Sequence, residues 1–411
     1  MEYGLIGEKL GHSYSKQIHA SIADYNFEIK EIAREDIDAF MKAKDFKAIN
    51  VTIPYKETVI PYLDEIEETA LRIGAVNTVI NDKGRLLGYN TDFYGMVTLI
   101  KANGIELKGK KVLILGTGGT CKTSFCVAES LGASSIYKVS RSGKDESLTY
   151  EEVLSKHTDA DIIINTTPCG MFPNVDSTPI DLKLFNKLSG VIDAIYHPLR
   201  SNLVLEAEKL NIPTCGGLLM LAAQAVKGCE KFLNTSFDES VAIKAYKNVL
   251  FEMRNIVLIG MPSAGKTTVG KVLAKRTGKV FVDTDDVIKE KIGSTIKEFF
   301  DTKGEEAFRD IETEVIKELS NKPNLIIATG GGAVLREENV RALKRDGLIY
   351  MLDRSIDKLT PTSDRPLLQN REMLESLFAK RYRIYINTAD VIIDANGTID
   401  EVANAILNDC Q

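Results

Sequence analysis

Eight residues, Gly260-Met261-Pro262-Ser263-Ala264-Gly265-Lys266-Thr267, have the spacing of a loop that cradles phosphate. They follow the apolar run Asn255–Ile259 and precede a pattern with Val269, Val272 and Leu273 on one helical face, so the context is strand, glycine loop, helix. The backbone N–H groups of such a loop turn inward around a nucleotide's phosphates at the positive end of the helix. Gly260, Ser263, Ala264, Gly265, Lys266, Thr267 and Thr268 are the candidate contacts. Lys266 would reach the β- and γ-phosphates of a nucleoside triphosphate, and the Thr267 hydroxyl would hold Mg²⁺.

Further chemistry follows the loop. Phe281–Asp285 reads as a strand whose two-residue period puts Asp283 and Asp285 on one side, suited to Mg²⁺ or to hydroxyl groups. Glu305–Glu312 reads as a helix with Arg309 in its middle, and taken alone Arg309 reads as half of a surface ion pair. Leu325–Ala328 opens into Thr329-Gly330-Gly331-Gly332-Ala333, a backbone nest where a substrate could lie close. Ser363–Leu368, with Arg365, fits a mobile lid whose arginine closes onto phosphate. A helix rich in guanidinium groups, including Arg381, comes after it.

Before the loop, polar residues gather at the ends of several apolar strands. Ser13 and Ser15 follow the strand Tyr3–Gly7 and can offer hydroxyls and helix-end N–H groups to a carboxylate. The strand begun at Ile49 carries Thr52 and is ended by Pro54 with Lys56 just beyond, Asn77 precedes another, and Asn90-Thr91-Asp92 leads into a helix. A lysine and an aspartate placed there suit proton transfer to or from a hydroxyl. A second glycine loop, Gly116-Thr117-Gly118-Gly119, follows the strand Lys111–Leu115, with Cys121 where either phosphate-loop motif wants its last glycine. The next strand ends in Ser140-Arg141-Ser142-Gly143-Lys144, and an arginine there suits the 2′-phosphate of NADP.

The chain as a whole has room for these two sites. Its 411 residues, 44% of them hydrophobic, can bury more than one core. A net charge of −6 favours neither nucleic acid nor an anionic membrane as partner. The six cysteines form no Cys-x-x-Cys pair, the start lacks a basic and apolar leader, and no apolar run is long enough to span a bilayer. A cytoplasmic protein acting on small molecules is expected, with a homo-oligomer left open. Asp238–Met253 has helical spacing and runs almost directly into the strand at Asn255, so the domain boundary falls near Glu252.

Ser13/Ser15, Asn50–Lys56, Ala75–Thr78, Asn90–Asp92 and Gly116–Gly119 occur in the order and spacing of shikimate dehydrogenases. So do Asn165–Met171, Asp193–Leu199 and Gly217–Gln224, and the resemblance covers about residues 1–250. It implies an α/β dehydrogenase of two lobes: a substrate lobe of about 1–102 plus 225–252, and an NADP-binding Rossmann lobe of about 103–224. By that resemblance Ser13, Ser15, Thr52, Asn77, Asp92, Tyr196 and Gln224 hold shikimate, Lys56 and Asp92 form the proton-transfer pair, and Gly116, Gly118, Gly119, Ser140, Arg141 and Lys144 meet NADP(H). Cys121-Lys122-Thr123 and Phe93-Tyr94-Gly95 depart from the usual family pattern.

Residues 253–411 resemble shikimate kinases, a P-loop α/β domain with a parallel sheet and a lid. The resemblance implies that Asp283 holds Mg²⁺ through water and that Asp285 orients the attacking hydroxyl. It implies also that Arg309 and Arg381 clamp the substrate carboxylate, that Gly330, Gly331 and Gly332 contact the substrate, and that Arg365 is the lid arginine on ATP. Lys358 stands where many relatives carry an arginine near the adenine. Together the resemblances imply one bifunctional enzyme that makes shikimate and then phosphorylates it. The alternatives are a quinate/shikimate dehydrogenase of broad range joined to the kinase, or one half kept as a ligand-binding module without catalysis.

Overall fold

The computed structural model describes residues 1–11, 13–144, 146–360 and 371–410. The chain divides into two compact units, Met1–Leu250 and Phe251–Gln411. The first unit opens with β1 (Tyr3–Gly7), β2 (Phe27–Glu31), β3 (Ala48–Val51), β4 (Glu65–Ile66), β5 (Thr78–Asp82) and β6 (Arg85–Tyr89). They form one mixed sheet in the order β2-β1-β3-β5-β6-β4. β1 is parallel to both of its neighbours, and β5 is antiparallel to both of its own. The strand expected from Ile49 up to Pro54 stops at Val51. Thr52 begins a turn instead, its carbonyl accepting from the Tyr55 N–H at 2.9 Å, because Pro54 has no N–H to continue the ladder.

The same unit then builds a parallel sheet from β7 (Lys111–Leu115), β8 (Ser135–Val139), β9 (Ile162–Asn165), β10 (Gly190–Asp193) and β11 (Thr214–Cys215). Its order is β11-β10-β9-β7-β8. β7, β9 and β10 are buried along almost their whole length and read as unbroken aliphatic runs, as strands covered on both faces do. The strand order reverses between β7 and β9, so a ligand crevice falls outside their carboxyl ends. All six cysteines are free thiols. Cys121 is fully buried in the helix Gly119–Ser130, where its small apolar side chain fills core space and burial pushes its thiol up to about 11.

From β11 the chain returns to the first sheet through the helix Leu218–Leu233. This helix packs against the helices Asp92–Ala102 and Ser15–Ile22. Its closest approach to Asp92–Ala102 is at Gly95, where a β-carbon would lie 2.6 Å from the Met220 carbonyl oxygen and 3.0 Å from Cβ of Gln224. A missing side chain thus sets how near Asp92 and Gln224 come to each other.

The second unit holds β12 (Asn255–Ile259), β13 (Val280–Asp283), β14 (Leu325–Ala328), β15 (Gly347–Asp353) and β16 (Val391–Asp394). They form a parallel sheet in the order β13-β14-β12-β15-β16. β12 is central and wholly buried, and the glycine loop leaves from its carboxyl end into the helix Lys266–Thr277. Gly260 and Gly265 have φ of 137° and 100°, a left-handed region that side chains resist. The expected strand Phe281–Asp285 is corrected. It ends at Asp283, and Asp285 lies in the first turn of the helix Thr284–Ile292, because the Asp283 carboxylate accepts from the Asp285 N–H at 3.0 Å and caps that helix. The two carboxylates are brought together by a helix cap rather than by strand period. The helix Ile296–Ser320 is broken at Gly304, and its second segment carries Arg309.

Gly95→Val tests the helix crossing. The added carbons run into the Met220 carbonyl and the Gln224 Cβ, atoms held by the facing helix, so the first unit is expected to lose about 1–3 kcal/mol, several degrees of its melting transition, while the second unit's transition stays in place. An unshifted first transition in scanning calorimetry would show that the two helices separate freely.

Candidate active sites

In the first unit, residues expected from three strand ends and one returning helix converge. The Lys56 ammonium donates to Asp92 Oδ2 at 2.6 Å, with both side chains largely buried. Asn77 is the hub beside them. Its Nδ2 donates to Thr91 Oγ1 at 3.0 Å and reaches Gln224 Oε1 at 3.5 Å, while its Oδ1 accepts from the Thr91 N–H at 2.7 Å. Thr91 and Asn50 belong to this network although neither was singled out from sequence. Asn50 Nδ2 donates to Thr78 Oγ1 at 3.0 Å, and Thr78 donates on to Asn77. The available signal was their position inside the runs Asn50–Lys56 and Asn90–Asp92. Ser13 and Ser15 form a small turn of their own, hydroxyl to hydroxyl at 3.1 Å, at the start of the helix Ser15–Ile22. Thr52 lies against Gly7 at the end of β1.

The dinucleotide loop adjoins this cluster. A β-carbon on Gly119 would stand 3.8 Å from Cδ of Lys56, so the lysine's stem reaches the loop that ends β7. Gly116 has φ of 113°, and a β-carbon there would meet Thr166 Oγ1 at 2.7 Å. Ser140 does not face outward. Its hydroxyl accepts from the Gly143 N–H at 3.0 Å and pairs with Ser147 Oγ at 2.7 Å, closing the loop that leaves Arg141 and Lys144 exposed. Tyr196 is half-buried, and burial raises its phenol.

Asp193, at the end of β10, was not assigned a role from sequence. Its buried carboxylate accepts from Asn165 Nδ2 and the Ile195 N–H, both at 3.0 Å, and from Ser201 Oγ at 2.5 Å. It therefore ties β9's outgoing loop, the Tyr196 segment and the helix Asn202–Lys209 into one body. Burial pushes its carboxyl up to about 6, against the three hydrogen bonds that favour the anion.

In the second unit, Thr267 Oγ1 donates to Asp283 Oδ2 at 2.8 Å. These two hard oxygen donors fit Mg²⁺, which takes few protein ligands and completes its shell with water and phosphate oxygens. The Lys266 ammonium donates to the carbonyls of Gly260 at 2.9 Å and Met261 at 3.1 Å, folded back on its own loop. Ser263 Oγ donates to the Thr360 carbonyl at 2.8 Å.

Arg309 is not the surface ion pair its helix pattern suggests. It is buried, donating to Glu312 Oε2 at 2.7 Å and to Glu305 Oε1 at 3.2 Å. Glu312 is the missed residue here, three positions on and on the same helical face. Burial raises its carboxyl, Arg309 opposes that, and the neighbouring Asp285 charge raises it further. Two of the three glycines lie hard against these groups. A β-carbon on Gly330 would lie 2.7 Å from Asp285 Oδ1, and one on Gly332 would lie 2.2 Å from Arg309 Nη1. Gly331's carbonyl accepts from Arg381 Nη1 at 3.0 Å and from the Tyr385 hydroxyl at 2.5 Å. Asp285, Arg309, Glu312 and Arg381 thus gather around the Gly330–Gly332 backbone. Arg365 and the rest of Ser363–Leu368 lie outside the described residues.

A two-lobed unit with a lysine–aspartate pair against a dinucleotide loop is a dehydrogenase, and a P-loop beside an acid and two buried arginines is a phosphotransferase. The shikimate dehydrogenase substrate binding domain family matches residues 5–79, and the shikimate kinase family matches residues 262–411. The chain is 37% identical over 261 residues to a shikimate dehydrogenase (NADP(+)) of Clostridium beijerinckii, covering 59% of this chain and 96% of that protein. It is 47% identical over 167 residues to a shikimate kinase of Thermodesulfovibrio yellowstonii, covering 39% of this chain and 96% of that one. The solved shikimate 5-dehydrogenase of Thermus thermophilus in complex with NADP(H) and shikimate superposes with a TM-score of 0.55 at 27% identity, over 60% of this chain and 99% of that one. The chain belongs to the shikimate dehydrogenase family over its first unit and to the shikimate kinase family over its second.

Asp193 gives a test of the loop anchor. The unfolded chain releases this proton near the ordinary 3.8 and the folded chain near 6. Between those values the folded state holds more protons, so the carboxyl's contribution to stability falls as pH rises through that window. Asp193→Asn can keep all three hydrogen bonds, its oxygen accepting two and its amide donating to Ser201. The difference in melting temperature between variant and wild type is expected to grow in the variant's favour from pH 4 to pH 6 and then level off. A difference that is flat across this range would mean that Asp193 is ionised throughout.

Proposed function

We propose that the first unit reduces 3-dehydroshikimate to shikimate with NADPH, and that the second transfers a phosphoryl group from ATP to that shikimate to give shikimate 3-phosphate. The observation that carries this reading is that one chain assembles both constellations, and the compound named for the first family is also the one named for the second. NADPH supplies the hydride, ATP the phosphoryl group, and Mg²⁺ neutralises charge on the phosphates.

In the first unit, the Ser13 and Ser15 hydroxyls hold the substrate carboxylate, and Asn77, Thr52 and Gln224 fix the ring hydroxyls. Lys56 gives a proton to the ring oxygen as charge builds there, and Asp92, 2.6 Å away, holds the lysine in place and binds the adjacent hydroxyl. The nearness of Lys56 to Gly119 supports delivery of hydride to the carbon and of a proton to the oxygen of one carbonyl. The exposed Arg141 and Lys144 meet the 2′-phosphate that distinguishes NADP from NAD.

In the second unit, Arg309 and Arg381 grip the carboxylate, and the Gly330–Gly332 backbone seats the ring. Asp285 orients the hydroxyl that attacks, and Lys266 follows the charge on the transferring phosphate. Thr267 and Asp283 hold Mg²⁺, and Arg365 closes onto ATP.

Two variants of the full chain separate the halves. Lys56→Ala should lower the rate of reduction by about 10²- to 10⁴-fold and leave phosphorylation of added shikimate unchanged. Lys266→Ala should do the reverse. Products are identified by mass from 3-dehydroshikimate with NADPH or NADH, with and without Mg-ATP. Shikimate that accumulates in wild type despite ATP refutes the kinase half, and equal rates with the two nucleotides refute the role given to Arg141 and Lys144.

A further inference from the structure

The phosphate loop of the second unit has a second cation beside it. β15 pairs with β12 in the register Ile259↔Met351, so Arg354, three residues past that pair, stands where β12 opens into the loop. The two segments are in contact, since a β-carbon on Gly260 would lie 2.8 Å from the Leu352 carbonyl oxygen. Nη1 of Arg354 lies 3.9 Å from the position a β-carbon would take on Gly265. Gly265 is the N-cap of the helix Lys266–Thr277, whose positive end draws anions.

What sets Arg354 apart is an unpartnered buried nitrogen at the edge of this loop. It is half-buried, its Nε is buried without a hydrogen bond, and among the described residues no hydrogen bond or ion pair reaches its guanidinium. Other arginines of the unit are engaged: Arg336 by Asp310 at 2.8 Å, Arg371 by Glu375 at 2.9 Å, and Arg381 by the Gly331 carbonyl. Lys358, the nearest alternative cation in sequence, donates to the Asn396 carbonyl at 2.9 Å. An Nε withdrawn from water with nothing to bond is an unfavourable state, and an anion that bridges Nε and a neighbouring Nη relieves it. Its planar fork matches two phosphate oxygens at once.

We propose that Arg354 is a further nucleotide-binding cation of this unit. It closes on the polyphosphate from the β15 side while the loop N–H groups and Lys266 hold it from the β12 side. The proposal rests on reading the second unit as an ATP-dependent kinase. It assigns Arg354 to binding the nucleotide rather than to the transition state.

Full-length Arg354→Ala and Arg354→Lys test it, with ATP, shikimate and inorganic tripolyphosphate as probes. In Arg354→Ala the KM for ATP is expected to rise about 10- to 100-fold, the loss of a charge-assisted bond, with kcat within about threefold of wild type. Tripolyphosphate inhibition should weaken by the same factor, and Arg354→Lys should recover part of both. An unchanged KM for shikimate shows that the unit is still folded. An unchanged KM for ATP overturns the proposal. So does a loss confined to ATP with tripolyphosphate binding intact, which would put Arg354 on the base. Calorimetric ATP binding, done without shikimate, keeps the two readings apart. Wild type that binds ATP but phosphorylates nothing refutes the kinase reading alone, and equal ATP affinity of wild type and Arg354→Ala refutes the assignment of Arg354 alone.

Discussion

A charge withdrawn from water has to be met by another charge or by dipoles, and both sites are built from groups whose present partners can be exchanged for a ligand. Lys56 rests on Asp92, Arg309 on Glu312 and Glu305, and Lys266 on two carbonyls of its own loop. Each arrangement satisfies the ion in the absence of a ligand. Lys279 shows the contrast. Its ammonium is buried under the Phe251 and Arg254 carbonyls and the Asn324 side chain, and burial pulls it down to about 8. It has the same chemistry as Lys56, but three acceptors from two separate segments close around it, so it works as a fastener within one unit.

The exchangeable groups need a rigid frame, and both units obtain it in the same way. A buried central strand, β7 or β12, ends in a glycine loop at the point where strand order reverses, and polar side chains from neighbouring strand ends face that point. The glycines mark where backbone must approach a functional group. Gly330 and Gly332 leave room for Asp285 and Arg309, and Gly116 leaves room for Thr166. These close approaches fix the sites more tightly than the hydrogen bonds alone would, because packed backbone yields less than a side chain does.

Much of this was legible in residue order. The apolar runs before both glycine loops are the strands β7 and β12 with their expected bounds, since a continuous aliphatic run bounded by glycine has few other solutions. The misreadings share one physical cause. A linear pattern reports period but not what caps or covers a segment. Asp285 was read as strand because its spacing from Asp283 is two, whereas the Asp283 side chain, acting as a cap, starts a helix there. Arg309 was read as exposed because its helix is rich in charge, whereas Glu312 pairs with it inside. Asp193 and Arg354 carry no local signal at all. One is an acid at the end of an aliphatic strand and the other an arginine after one, and only the tertiary structure shows three donors around the first and, among the described residues, no partner for the second's buried Nε.

On the proposed roles, the two units recognise one carboxylate by different chemistry. The first offers the neutral hydroxyls of Ser13 and Ser15, and the second offers the guanidinium groups of Arg309 and Arg381. Neutral hydrogen bonds contribute about 0.5–1.5 kcal/mol net and those to charged groups about 1.5–3. The compound is the product of the first unit and the substrate of the second. A weaker grip favours release where the compound is made, and a stronger one favours capture where it is used. A second constraint points the same way. The carboxylate does not react in the first unit, so a stronger grip on it would hold substrate, transition state and product alike without favouring the transition state. The second unit faces the opposite demand. A phosphate donor brings several negative charges toward a substrate that is itself an anion, and Arg309 and Arg381 offset that repulsion before Lys266 acts on the transferring group.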